Sequence, residues 1–171
     1  MIWYEALFQQ YRGKRLLDAN LLLLFLIGTL DRTLIARFKR TAGFSEDDFD
    51  VLLNFVPLFR ILITTPQLLT EVSSLANALP ESLKPIWNRH LMQHAEQVLE
   101  VAKPSIELMR QPAFLAFGLG DASIFATAQN TLILTDDFRL SGLLRSRDLA
   151  VINLRDILPV ASSNRPSRNP R

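Results

Sequence analysis

The chain has 171 residues, of which 49% are hydrophobic and 21% charged, and it contains no cysteine. That length suits one domain with a sizeable core, the composition excludes a disordered or fibrous chain, and the lack of cysteine excludes disulfides, thiolate metal sites and cysteine nucleophiles. The formal net charge of +2 comes from the end of the chain, because residues 162–171 carry Arg165, Arg168 and Arg171 and no acid, which leaves −1 on the remainder.

Global charge is therefore no argument for nucleic acid, and an RNA path would have to be local. Lys14 with Arg15, the Arg37/Lys39/Arg40 group and Arg145 with Arg147 are the candidates, each equally readable as a solvated helix face.

In chain order, Arg15–Leu17 reads as a short buried strand after an N-terminal lead-in. The apolar run from Leu21 to Ile27, extended to Leu30, falls short of the roughly 20 residues a membrane span needs. It follows Asp18 and Asn20 directly and ends in no small-residue cleavage site, so a cytoplasmic, non-membrane protein is expected. Phe44-Ser45-Glu46-Asp47-Asp48-Phe49 reads as a helix start capped by Ser45, with Phe44 placed to staple to Phe49. Asp48 stands where a capping box prefers Glu or Gln, and the other acids there read as complements to the helix dipole.

A second strand is predicted over Ile61–Thr65, with Thr65 capping a helix that begins at Pro66. The stretch from Pro80 to Pro112 is helical by pattern, divided near Pro104. Its stripe of Leu83, Trp87, Leu91, Ala95 and Val98 faces either the core or a second subunit. His90 and His94 stand four apart on this stretch, a zinc-pair spacing whose default reading is a solvated face. Gly118-Leu119-Gly120-Asp121 opens a helix over Ala122–Gln129, closed by Asn130. Strands follow over Thr131–Thr135 and Ala150–Leu154. The tail, 162–171, reads as disordered and basic.

Strands alternating with helices predict an α/β fold, a three-layer α/β/α arrangement around a parallel sheet. The expected organisation is one domain over 1–161, with helical insertions at about 28–60 and 80–112.

Ligands of parallel α/β sheets gather at the carboxyl ends of the strands. Asp18 follows the first strand, and Asp136 and Asp137 follow the third. Glu71 lies on the second turn of the helix after the second strand, and Asp121 opens the helix before the third. Any one of these could be an ordinary cap. Together they crowd like charges on one rim, which calls for protons or a cation, and oxygen-only donors suit Mg²⁺ or Mn²⁺. Asn20 could orient the Asp18 carboxylate or a bound water, and the Thr135 hydroxyl lies beside Asp137.

Four segments carry a family resemblance. Leu-Leu-Asp-Ala-Asn-Leu-Leu-Leu resembles the opening strand and helix of PIN domains. Thr-Thr-Pro-Gln-Leu-Leu-Thr-Glu-Val resembles their second acidic motif and Gly-Leu-Gly-Asp-Ala-Ser-Ile-Phe-Ala-Thr-Ala their third. Leu-Thr-Asp-Asp-Phe-Arg-Leu resembles the closing motif. The order and spacing agree over residues 14–157. The resemblance implies a PIN-like, VapC-toxin-like ribonuclease whose metal-site acids are Asp18, Glu71, Asp121 and Asp137, with Asp136 a competitor for the last role. It implies Mg²⁺ or Mn²⁺ as cofactor and RNA as substrate. An antitoxin protein and a homodimer are partners that family membership allows. The family also contains inactive members, so the alternative is a PIN-fold RNA- or protein-interaction module.

Two other carboxylate-rim folds fit poorly. A phosphotransfer receiver needs its adjacent acids early and a lysine late, whereas Asp136-Asp137 is late and Lys103 is the last lysine. A haloacid-dehalogenase-type phosphatase needs an acid at position 20, which is Asn.

Overall fold

Short runs bounded by turn residues form the strands, and those buried on both faces carry no polar alternation. In the computed structural model these are β1 (Lys14–Leu17), β2 (Ile61–Thr64), β3 (Leu99–Glu100), β4 (Leu132–Thr135) and β5 (Val151–Asn153). The structure describes residues 10–157 apart from 12 and 57–59. The expected lead-in ahead of residue 10 and the expected disordered tail lie outside the described residues. All strand pairs are parallel, in the order β3-β2-β1-β4-β5. Helices flank the sheet, giving the expected three-layer α/β/α fold.

Four strands lie where the sequence places them, each shorter by a residue or two at an end or, for β1, longer by Lys14. β3 corrects the helical reading of 80–112. Its two residues are exposed, so no local pattern marks them, and their strand character comes from pairing with Ile63 and Thr64. The helical stripe accordingly stops at Ala95, and Val98 falls in the bend leading to β3.

The helices are α1 (Ala19–Leu30), α2 (Leu34–Arg37), α3 (Glu46–Phe55), α4 (Pro66–Ala76) and α5 (Lys84–Ala95). They continue with α6 (Ser105–Met109), α7 (Phe114–Phe117), α8 (Leu119–Thr127) and α9 (Phe138–Arg145). α1 is the apolar run weighed above as a membrane segment. It is buried nearly all round, packing against α3, α4 and α5, which explains a composition without an amphipathic face. Among the described residues, no helix is long and apolar enough to cross a membrane.

Trp87 is fully buried and Leu91 packs against the core, so the α5 stripe faces inward. The capping box of α3 forms in full: the Asp48 carboxylate accepts from the Ser45 N–H at 2.7 Å, and the Ser45 hydroxyl accepts from the Asp48 N–H at 3.2 Å. Asp is thus long enough to close the box that the sequence reading treated as weakened.

The strand order reverses direction between β1 and β4. Chain connections leave these neighbours on opposite sides, which opens a crevice beyond their carboxyl ends.

Candidate functional site: a carboxylate rim at the β1/β4 switch point

Asp18 and the pair Asp136-Asp137 follow the two strands that flank this crevice. The Asp18 N–H donates to the Leu134 carbonyl at 3.0 Å, which ties the end of β1 to the end of β4. Asp18 is only 5% exposed. Its Oδ1 accepts from the Leu21 N–H at 2.8 Å, capping α1. Its Oδ2 accepts from the Thr135 hydroxyl and from the Asp136 N–H at 3.2 Å. Thr135, fully buried, also accepts from the Asp137 N–H at 2.9 Å. One hydroxyl therefore holds the Asp18 carboxylate and the backbone of the Asp136-Asp137 turn together.

The adjacent acids divide the space. Asp136 is buried and faces Asp18. Its Oδ1 accepts from Asn20 Nδ2 at 3.1 Å, and its Oδ2 lies 3.9 Å from the Arg155 guanidinium. Asn20 thus orients Asp136, where the sequence suggested Asp18 or a water. Asp137 is half-buried and caps α9, its Oδ1 accepting from the Arg139 N–H at 2.6 Å and the Leu140 N–H at 3.0 Å. It faces Asp121 rather than Asp18.

Asp121 sits in the first turn of α8, not at its cap. The cap is Gly118, whose φ of 86° belongs to the left-handed region that glycine adopts without strain. The helix therefore starts at Leu119 and ends at Thr127, earlier at both ends than the predicted Ala122–Gln129. Glu71, on the second turn of α4, is exposed and reaches across to α8. A Cβ at Gly120 would meet Glu71 Oε2 at 2.7 Å, so only glycine admits that approach.

A buried hydroxyl pair that sequence reasoning missed fastens α4 to α8. Ser123 donates to the Gly120 carbonyl at 2.6 Å, leaving the Thr65 hydroxyl to donate to Ser123 Oγ at 2.8 Å. Thr65 in turn accepts from the Leu68 N–H and caps α4. Ser and Thr at helix starts are so common that nothing local marks this pair. Arg155 was also missed, although it follows β5 at the same sheet edge and the rule that found the acids would have reached it.

The electrostatics follow from burial and proximity. Burial, then repulsion from Asp136, pushes Asp18 well above the usual carboxylate range; Asp121 adds to this, while Thr135 and Leu21 oppose it. Asp121 is pushed up to about 7 by burial and then by Asp137 and Glu71, with Arg139 opposing. Glu71 is raised by partial desolvation. Like charges thus interact pairwise from Asp136 through Asp18 and Asp121 to Asp137 and Glu71. The nearby cations are Arg155 and Arg139, the latter lying over the Phe117 ring at 5.0 Å.

The donor set fits a hard divalent ion in its chemistry: it consists of carboxylates, and among the described residues Asp121 and Glu71 have neither a hydrogen bond nor an ion pair. The side chains are not closed around one point. Among the described residues, no group of three His, Asp or Glu side chains is arranged to hold an ion.

The histidine pair is something else. His94 is buried on α5 with its ring 6.0 Å from that of Phe25, and burial, then His90 and Arg15, lowers it to about 4. His90 Nε2 lies 3.0 Å from Thr29 Oγ1. His94 therefore belongs to a packed interior rather than the solvated face expected. Of the basic clusters, Arg15 is buried, which removes it from a surface path, and the exposed Arg145 pairs with Asp156 at 2.6 Å.

No protein-family model, curated protein or solved structure matches the chain.

Proposed function

We propose that this chain is a PIN-like, metal-dependent endoribonuclease that hydrolyses RNA phosphodiester bonds with Mg²⁺ or Mn²⁺. The observation that carries this reading is the rim of mutually repelling carboxylates at the β1/β4 switch point, drawn from four segments. Four motifs in family order support it. Cytoplasmic location, a toxin role with an antitoxin partner and a homodimer belong to the same proposal.

Asp18, Asp121 and Asp137, with Glu71, would hold the ion. When bound, it would lower the pKa of a water and offset charge developing on the scissile phosphate. Thr135 keeps the Asp18 carboxylate in one orientation. Glu71, exposed and raised in proton affinity by desolvation, would take a proton from an attacking water. Arg139, exposed beside Asp121, can meet a phosphate oxygen.

The rival reading is a PIN-fold interaction module that binds without cutting. Its support is that Asp136 is already compensated by Asn20 and Arg155 and that the acids are not closed into a cage. Cleavage of a mixed single-stranded and structured RNA pool, with Mn²⁺, Mg²⁺ or EDTA, separates the two. The nuclease reading expects metal-dependent cutting that Asp121→Asn abolishes. Absence of both cutting and divalent-dependent stabilisation would favour the interaction module.

A further inference from the structure

Three consecutive residues at the start of α9 have different surroundings. Asp137 caps the helix and faces Asp121 across the rim. Arg139 has its guanidinium 5.0 Å from the centre of the Phe117 ring, and it is close enough to Asp121 to favour that carboxylate's charged form. Phe138 stands between them and is 60% exposed, on a helix that buries Leu140, Ser141 and Leu144 instead.

The two phenylalanines near Arg139 do different things. Phe117 is half-buried against the cluster of Leu108, Ala113 and Ala122, and the Arg139 guanidinium lies over its ring. That stacking holds Arg139 at the edge of the rim. Phe138 packs into neither hydrophobic cluster and has no ring or cation contact with a described residue. A single exposed apolar side chain is ordinary and decides nothing by itself. Its placement does decide something. Consecutive Cα atoms stand about 3.8 Å apart, so this uncovered ring is tethered one residue from a rim acid and one residue from a rim cation. A phosphate drawn to Arg139 brings the base it carries to the neighbourhood of that ring.

We propose that Phe138 is the base-stacking residue of this site, holding an unpaired base next to the scissile phosphate of RNA while Arg139 meets the phosphate. The assignment rests on the nuclease reading above and adds to it the residue that engages the base. Every base has a face that stacks on an aromatic ring, so this subsite needs a base without reading which one it is.

The test uses the full chain with Mn²⁺ and a short unstructured RNA, made as a series in which one abasic nucleotide occupies each position around the cut in turn. For wild type, one abasic position beside the cut should lower kcat/KM roughly tenfold or more. Exchanging that base for another should change it much less. Phe138→Ala should lower kcat/KM on the intact RNA by a similar factor, mainly through KM, and should show no further loss at that abasic position. Phe138→Trp should keep wild-type activity. Phe138→Leu, which retains apolar surface without a ring face, should behave as Phe138→Ala. Ile86→Ala, at an apolar residue 51% exposed on α5, is the control and should match wild type. All variants are matched in folding by circular dichroism. The assignment is overturned if Phe138→Ala cuts intact RNA as well as wild type does, if the abasic penalty is the same in both proteins, or if Phe138→Leu keeps full activity. Failure of wild type to cut any RNA with Mn²⁺ is a distinct result, which overturns the nuclease reading and this assignment with it.

Discussion

Thr135 shows how one buried hydroxyl can organise a site. It donates to Asp18 and accepts from the Asp137 backbone, so the end of β4 and the cap of α1 are fixed to each other. Without it, Asp18 keeps its Leu21 and Asp136 N–H donors but loses the side-chain hydrogen bond that most favours its charged form. Thr135→Val should lower metal-dependent RNA cleavage roughly 10- to 100-fold, the usual effect of removing a group that orients a ligand. Thr135→Ser should restore most of it, because the hydroxyl returns. Equal activity in the valine variant would show that Asp18 needs no such support. The sequence marks Asp18 and Thr135 as a cap and a strand-end hydroxyl. Their meeting joins residues 117 positions apart, which no local pattern announces.

At the scale of elements, α8 depends on two glycines for different reasons. Gly118 has a positive φ and starts the helix; Gly120 makes room for Glu71. Gly118→Ala should destabilise the fold by about 1–2 kcal/mol, the cost of left-handed backbone for a residue with a Cβ. Gly120→Ala should leave stability within about 1 kcal/mol of wild type, because alanine favours a helix and the displaced Glu71 tip is flexible. Its effect should fall on Mn²⁺-dependent cleavage instead, since Glu71 is moved from Asp121. Chemical denaturation beside a cleavage assay separates the two outcomes, and an unchanged cleavage rate in Gly120→Ala would remove Glu71 from the site. The elements themselves were largely readable. β4 is a short apolar run buried throughout, β1 is marked by Leu16 and Leu17 after two cations, and Thr65-Pro66 announces α4 through capping chemistry. β3 was not readable, because two exposed residues become a strand only beside β2.

Across the whole molecule, two titrations oppose each other in metal-free solution. Asp18 and Asp121 bind protons more tightly folded than unfolded. Their contribution to stability is full below about pH 4, the unfolded carboxylate range. It is lost as pH rises through the folded values, about 7 for Asp121. His94 runs the other way: with its folded value lowered from 6.5 to about 4, its contribution is full above 6.5 and lost as pH falls toward 4. Asp121→Asn should therefore stabilise the metal-free protein at pH 8 by up to about 4 kcal/mol, since the rise from 3.8 to about 7 is roughly three tenfold steps in proton affinity of about 1.4 kcal/mol each. That gain should vanish near pH 4. His94→Leu should flatten the acid side of the profile alone. Urea unfolding in EDTA at pH 4, 6 and 8 reads both. A less stable Asp121→Asn at pH 8 would mean that the acids do not repel one another as their placement requires.

By itself, the sequence determined the parallel α/β class and four of the five strands. It also determined the starts of α3 and α4, through Ser45 and Thr65, and the positions of the acids next to strand ends, because periodicity and capping chemistry are local properties of a chain. Tertiary structure alone decided which acid faces which. Asp136 turns to Asp18, Asn20 and Arg155, while Asp137 turns to Asp121, a division set by the pleat and the first turn of α9. It also buried His94 and Arg15. The reason is geometric: the strand order 3-2-1-4-5 sets side by side residues the chain separates by scores of positions, and their charges and hydrogen bonds acquire meaning only there.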